Sequence, residues 1–134
     1  MTKKLPLFFI LAVSSIVAFM HLVGMYLHLY WRLDYYDKPV HFLGGFLVAY
    51  ICLIIIYFKR MPHVNKSHVY LVGLFAALMI GLAWEVFELR IGLTAFGDYD
   101  FYPNNTGDVL ADLLGGIVAT WYFIQTYKNS EKIS

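Results

Sequence analysis

The chain has 134 residues, the length of one domain, with 60% hydrophobic and only 14% charged residues and a mean hydropathy of +0.64. A water-soluble domain of this size cannot hide that apolar excess in one core, so the bilayer is the expected solvent. A net charge of +1 excludes the basic footprint of a nucleic-acid binder, and the lone Cys52 excludes an internal disulfide and argues against a cysteine-based metal site.

In chain order, Lys3 and Lys4 precede an apolar run over residues 5–31. It is too long for a signal-peptide core and has no small-x-small cleavage site, so it is expected as one helix. At about 1.5 Å per residue it exceeds the roughly 30 Å hydrocarbon core and should tilt or protrude. Ser14, His21 and His28 are seven apart and should share a face, and Tyr30-Trp31-Arg32 is an interfacial signature. A short link holding Asp34, Tyr35, Tyr36 and Asp37 leads to Pro39, which suits the first turn of a second helix over 39–58. Lys59, Arg60, Pro62, His63 and Lys66 form the next loop, and a third helix is expected over 67–91. A loop rich in aromatics, acids and turn formers follows, with Thr106 as N-cap of a fourth helix over 107–127 and a frayed polar tail beyond it. The expected fold is therefore all-α, a four-helix transmembrane bundle forming one domain over 1–134.

Four spans put both termini on one side. The termini and the second loop hold Lys3, Lys4, Lys59, Arg60, Lys66, Lys128 and Lys132, and the opposite side holds Arg32, Lys38 and Arg90. That bias predicts cytoplasmic termini and a multi-pass protein of the cytoplasmic (inner) membrane. Every acid except Glu131 then falls in an outer loop or the outer half of a helix.

Three helices share one design. Asp37, His41, Gly45 and Ala49 recur at i+4, as do Gly73, Ala77, Gly81 and Glu85, and as do Asp108, Asp112, Gly116 and Thr120. Such spacing stacks side chains on one helix face, so each helix carries a polar pair at one end of a small-residue seam. The topology brings Asp37, His41, Glu85, Glu88, Asp108 and Asp112, together with His28, to roughly one depth under the outer interface. Several of these have plain structural readings. Asp37 and Asp108 near helix N-termini favour the dipole, His28 suits an interfacial aromatic, and His21 suits a hydrogen bond to a neighbouring helix. Asp98 and Asp100 suit a solvated loop, and the small residues suit helix packing. His41, Glu85, Glu88 and Asp112 resist such readings, because an ionisable group inside a span costs a few kcal/mol unless paired or functional.

The stretches D-K-P-V-H-F at 37–42, E-V-F-E at 85–88 and D-V-L-A-D-L-L-G at 108–115 resemble the VanZ-like family of small membrane proteins. That family typically carries Asp-Lys-x-x-His-Phe, Glu-x-x-Gln and Asp-x-x-x-Asn-x-x-Gly. Asp37, Lys38, His41, Glu85, Asp108 and Gly115 match, whereas Glu88 stands for Gln, Asp112 stands for Asn, and the Arg usual before the last motif is missing. The acidic departures are similar to a related group of uncharacterised inner-membrane proteins. The resemblance implies a membrane fold of four to five helices and no particular reaction.

Carboxylates and a histidine presented at i+3 and i+4 from facing helices are how helical bundles build divalent-metal sites. The expected site is Asp37, His41, Glu85, Glu88, Asp108 and Asp112 around Mg²⁺, Mn²⁺, Ca²⁺ or Zn²⁺. Glu85 and His41 take the catalytic roles, toward a lipid-linked or head-group substrate in the bilayer. The alternatives are a proton or cation relay or transport element, since acid–histidine chains also mark ion pathways, and a scaffold locked by its polar cluster. Four helices leave little room for alternating access.

Overall fold

The break after Tyr26 shapes the first quarter of the chain. In the computed structural model, which describes residues 4–33, 35–57, 65–98 and 100–131 (the side chains of 4–6 and 127–131 excepted), α1 spans Lys4–Tyr26 and a short α2 spans Leu29–Arg32. The single helix expected over 5–31 is thus divided. His28 adopts the left-handed conformation at φ 56°, the one non-glycine residue to do so among the described residues. A Cβ makes that conformation costly, so helix propagation stops there. The 23 residues of α1 span about 34 Å, close to the hydrocarbon thickness, and the remainder turns off at the membrane boundary. His28 is consequently exposed and leaves the face that Ser14 and His21 were expected to share with it.

Three long helices follow: α3 (Asp37–Tyr57), α4 (Lys66–Ile91) and α5 (Phe101–Glu131). Pro39 falls in the first turn of α3, where its missing N–H has no helical partner to lose. The Asn65 side chain caps α4 by accepting from Ser67 N at 3.0 Å, and Gly92 at φ 75° ends it with its N–H on Glu88 O. The last helix begins six residues earlier than expected. Pro103 lies in its first turn, and Asn104 N already bonds Asp100 O at 2.8 Å, so Thr106 is not a cap. Asp108 therefore stands about two turns inside the helix rather than at its N-terminus, and the backbone stays helical to Glu131, into the first residues of the tail expected to fray. Among the expected features, Lys3, Asp34, Phe58, Lys59, Arg60, Pro62, His63 and Lys132 lie outside the described residues, as does the side chain of Lys128.

Four helices are long and apolar enough to cross a membrane, with spans Leu7–Tyr26, Asp37–Tyr57, Lys66–Ile91 and Phe101–Thr126. One end of the bundle holds the starts of α1 and α4 and the ends of α3 and α5, and the other holds α2 and the loop after Gly92. Helices α3, α4 and α5 form the tight part around Tyr50, Leu53, Val69, Ala77, Ala119 and Phe123. Their backbones touch at the level of the polar residues. A Cβ on Gly45 would strike the Asp112 carbonyl, one on Gly115 would strike the Phe42 carbonyl, and one on Gly81 would stand 2.7 Å from Asp112 Oδ2. With little hydrophobic drive between helices in lipid, such close approach supplies the dispersion contact that holds them. Helix α1 is peripheral. Phe9 seats it against the rings of Phe46, Tyr50 and Tyr122 at 5.9, 5.4 and 5.3 Å, while Phe8, Phe19 and Leu22 point outward.

Candidate functional site

The site begins with His41, one turn into α3 and 4% exposed. Its Nδ1 lies 2.9 Å from Asp112 Oδ2 on α5. An ionised carboxylate only accepts, so Nδ1 carries the hydrogen and donates, and in the neutral imidazole the lone pair is then on Nε2, on the other side of the ring. Nε2 has no hydrogen-bond partner among the described residues and lies 3.8 Å from Asp108 Oδ1. Trp84 stands edge-on to the imidazole at 6.3 Å and 86°.

Glu85 enters from α4. It is 6% exposed, and neither carboxylate oxygen has a hydrogen-bond partner among the described residues. One ligand atom each from His41, Glu85 and Asp108 fall within 4.8 Å of one another. Three helices thus deliver one nitrogen and two carboxylates to one buried point. Glu88, one turn along α4, is turned to another partner, accepting from Trp84 Nε1 at 2.9 Å through Oε1.

Asp108 is fully buried and bonded on both oxygens. Lys38 Nζ donates to Oδ1 at 2.7 Å, and Asn104 Nδ2 donates to Oδ2 at 3.1 Å. Lys38 also donates to Asn104 Oδ1 at 2.8 Å and pairs with Asp37 Oδ1 at 3.3 Å, and Asn104 Nδ2 reaches Asp37 Oδ2 at 3.4 Å. This latch joins the first turn of α3 to α5. Five carboxylates (Asp37, Glu85, Glu88, Asp108 and Asp112) therefore gather around one lysine and one histidine.

Of the six residues expected at the site, His41, Glu85 and Asp108 come together, Asp112 bonds to His41, Asp37 joins through Lys38 and Asn104, Glu88 is turned to Trp84, and His28 does not join them. Two members are new. Lys38 lay inside the D-K-P-V-H-F motif. Asn104 continues the i+4 row of Asp108, Asp112, Gly116 and Thr120 by one further turn, and went unread because the helix was expected to begin after it. His21 meets Tyr30 at 2.9 Å, so its partner is on α2 rather than on another span. Burial, reinforced by the Glu88 charge, pushes the Tyr30 hydroxyl well above its ordinary range, so it stays protonated.

Two cavities flank the cluster. A polar one of about 360 Å³ opens at the loop end, between Tyr30, Trp31, Asp37, Glu88, Phe101 and Asn104. An apolar cleft of about 60 Å³ reaches the far side of His41 and Asp112 past Val17, Val40, Ile80 and Trp84. The Trp84 indole, edge-on to His41 and bonded to Glu88, stands between them.

Four apolar spans around a buried acid–histidine cluster define a multi-pass integral membrane protein. The chain belongs to the family described as "Predicted membrane protein (DUF2238)", whose model matches residues 3–129. That match accords with the related inner-membrane group that the motifs resemble and carries no VanZ-like assignment. No curated protein and no solved structure matches the chain.

Proposed function

We propose that His41 Nε2, Glu85 and Asp108 hold a divalent cation, and that the protein is an enzyme acting on a lipid-linked or head-group substrate. The observation that carries this reading is Glu85, whose carboxylate is buried with no hydrogen-bond partner among the described residues, beside the unpartnered Nε2 of His41. An isolated buried carboxylate costs several kcal/mol, and a cation shared with His41 and Asp108 offsets that cost. One imidazole with two carboxylates suits Zn²⁺ or Mn²⁺ better than the all-oxygen sites of Mg²⁺ or Ca²⁺. Asp112 then orients His41 from outside the coordination sphere, as carboxylates commonly do for metal-bound imidazoles.

Three protein ligands leave coordination positions for water and substrate, and the bound ion would supply Lewis acidity toward a phosphoryl or carbonyl oxygen. Glu85 and His41 are the residues assigned to the chemistry, and Lys38 holds Asp108 in place. The lysine and arginine bias supports cytoplasmic termini, with the site under the outer face of the inner membrane. A proton relay through the monomer is disfavoured. No acid lies between Asp112 and Glu131 or between Asp37 and Glu85, and the Thr120 hydroxyl is closed on Gly116 O at 2.8 Å.

Elemental analysis of the detergent-purified protein tests the metal reading. About one equivalent of Zn or Mn per chain is expected, and a chelator should lower the melting temperature until metal is restored, since an ion at a hundred times its Kd adds about 2.7 kcal/mol. A metal-free protein indifferent to chelator and added ions would remove the enzyme reading and leave a scaffold.

A further inference from the structure

The polar cavity at the loop end has a chemistry that the metal does not use. At about 360 Å³ it is far larger than an ion and falls in the range of small-molecule sites. Its lining is predominantly acidic. Asp37, Glu88, Asp98 and Asp100 line it; Lys38 stands behind the lining and pairs with Asp37 at 3.3 Å, which leaves Glu88, Asp98 and Asp100 without a lysine or arginine partner among the described residues. An anion is therefore repelled, and a cation is drawn in.

The walls decide what kind of cation. Tyr30, Trp31 and Phe101 present aromatic rings, which attract an organic ammonium group and do little for a hydrated metal ion. The lining also offers unused acceptors. Glu88 is 3% exposed, and its one hydrogen bond among the described residues is the Trp84 bond on Oε1. Thr94 Oγ1 and Asn105 Oδ1 are buried in the same lining without any partner among the described residues. Acceptors beside aromatic faces suit an ammonium group that still carries N–H donors.

We propose that this cavity binds a protonated primary amine, either free in water or as the head group of a lipid. The proposal deepens the head-group reading of the neighbouring metal site and rests on it only for the reaction that follows. Binding of the amine needs no metal, so it is measured on chelator-treated protein and can fail or succeed independently of the metal analysis.

Ethanolamine is titrated calorimetrically into the protein in an uncharged detergent. A saturable heat is expected, with affinity lowered about tenfold or more in Trp31→Ala and in Glu88→Gln. Trp31 is half-exposed and Gln keeps an acceptor for Trp84, so both variants should melt near the wild type, and a circular dichroism melt checks this. A second arm compares nanodiscs of phosphatidylethanolamine with nanodiscs of phosphatidylglycerol. Binding of soluble ethanolamine identifies a free amine as sufficient. Stabilisation by phosphatidylethanolamine alone, lost in the same two variants, identifies a lipid head group. No saturable response in either arm, a response matched by sodium chloride at equal ionic strength, or one unaltered by both substitutions overturns the proposal.

Discussion

His41 and Asp112 form the most defined contact in the site, and what each substitution does depends on which imidazole nitrogen it touches. Asp112→Asn keeps an oxygen able to accept from Nδ1 but removes the charge that makes the Nε2 lone pair a stronger metal ligand. The variant should fold with a nearly unchanged melting temperature and bind metal about 10- to 100-fold more weakly, as loss of an orienting carboxylate generally does. Glu85→Gln removes a ligand of the proposed ion and should abolish any metal-dependent rise in melting temperature outright. Metal titration followed by thermal melts separates the two; equal losses would place Asp112 among the ligands. Lys38 acts on the fold instead. It is the cation beside fully buried Asp108, at 2.7 Å, and its own side chain is 22% exposed. Lys38→Met should destabilise the metal-free protein by about 2–3 kcal/mol, below the full cost of stranding a buried charge because water still reaches the lysine. Added metal should recover part of that loss, and denaturant unfolding with and without metal measures both effects.

At the scale of the helices, close approach of α3, α4 and α5 is what allows side chains from three elements to share one point. Gly81 illustrates the constraint, since any Cβ there meets the Asp112 carboxylate, whereas its neighbour Leu82 is 47% exposed to the membrane side. Gly81→Leu should cost about 3 kcal/mol or more through overpacking, and Leu82→Ala less than about 1 kcal/mol. Thermal melts in detergent compare them, and equal small effects would mean that Gly81 faces lipid. The same seam explains which parts of the helices could be read from spacing. The i+4 rows ending in Asp37, Glu85 and Asp108 do face one another, because glycine and alanine on the same stripe mark where backbones meet. The helix ends were less readable. Pro103 and Asn104 look like loop chemistry, yet Pro103 opens α5 and Asn104 becomes a hydrogen-bonding member of the cluster. His28 looks like one more member of a helical face, yet it sits where the chain leaves the helix.

For the whole molecule, the orientation in the membrane determines which compartment the site faces. A reporter fused after Ser134 and one inserted at Asn65 should both read cytoplasmic, and one inserted at Gly97 should read external. An external C-terminus would turn the cavity and the acids toward the cytoplasm. Composition and the lengths of the apolar runs determined that the chain has four helices able to cross a membrane, because each span must be long enough for the bilayer and apolar over its whole length. Periodicity added which residues lie at one depth, because a helix converts spacing into height and direction. Neither could say which atom of one helix meets which atom of another. That Asp112 takes Nδ1 of His41, that Asp108 is taken up by Lys38 and Asn104, and that Glu85 is left with no hydrogen-bond partner among the described residues depends on the rotation of three helices about their axes. Those rotations are set by which glycines touch which backbones, a property of the packed bundle and of no single helix.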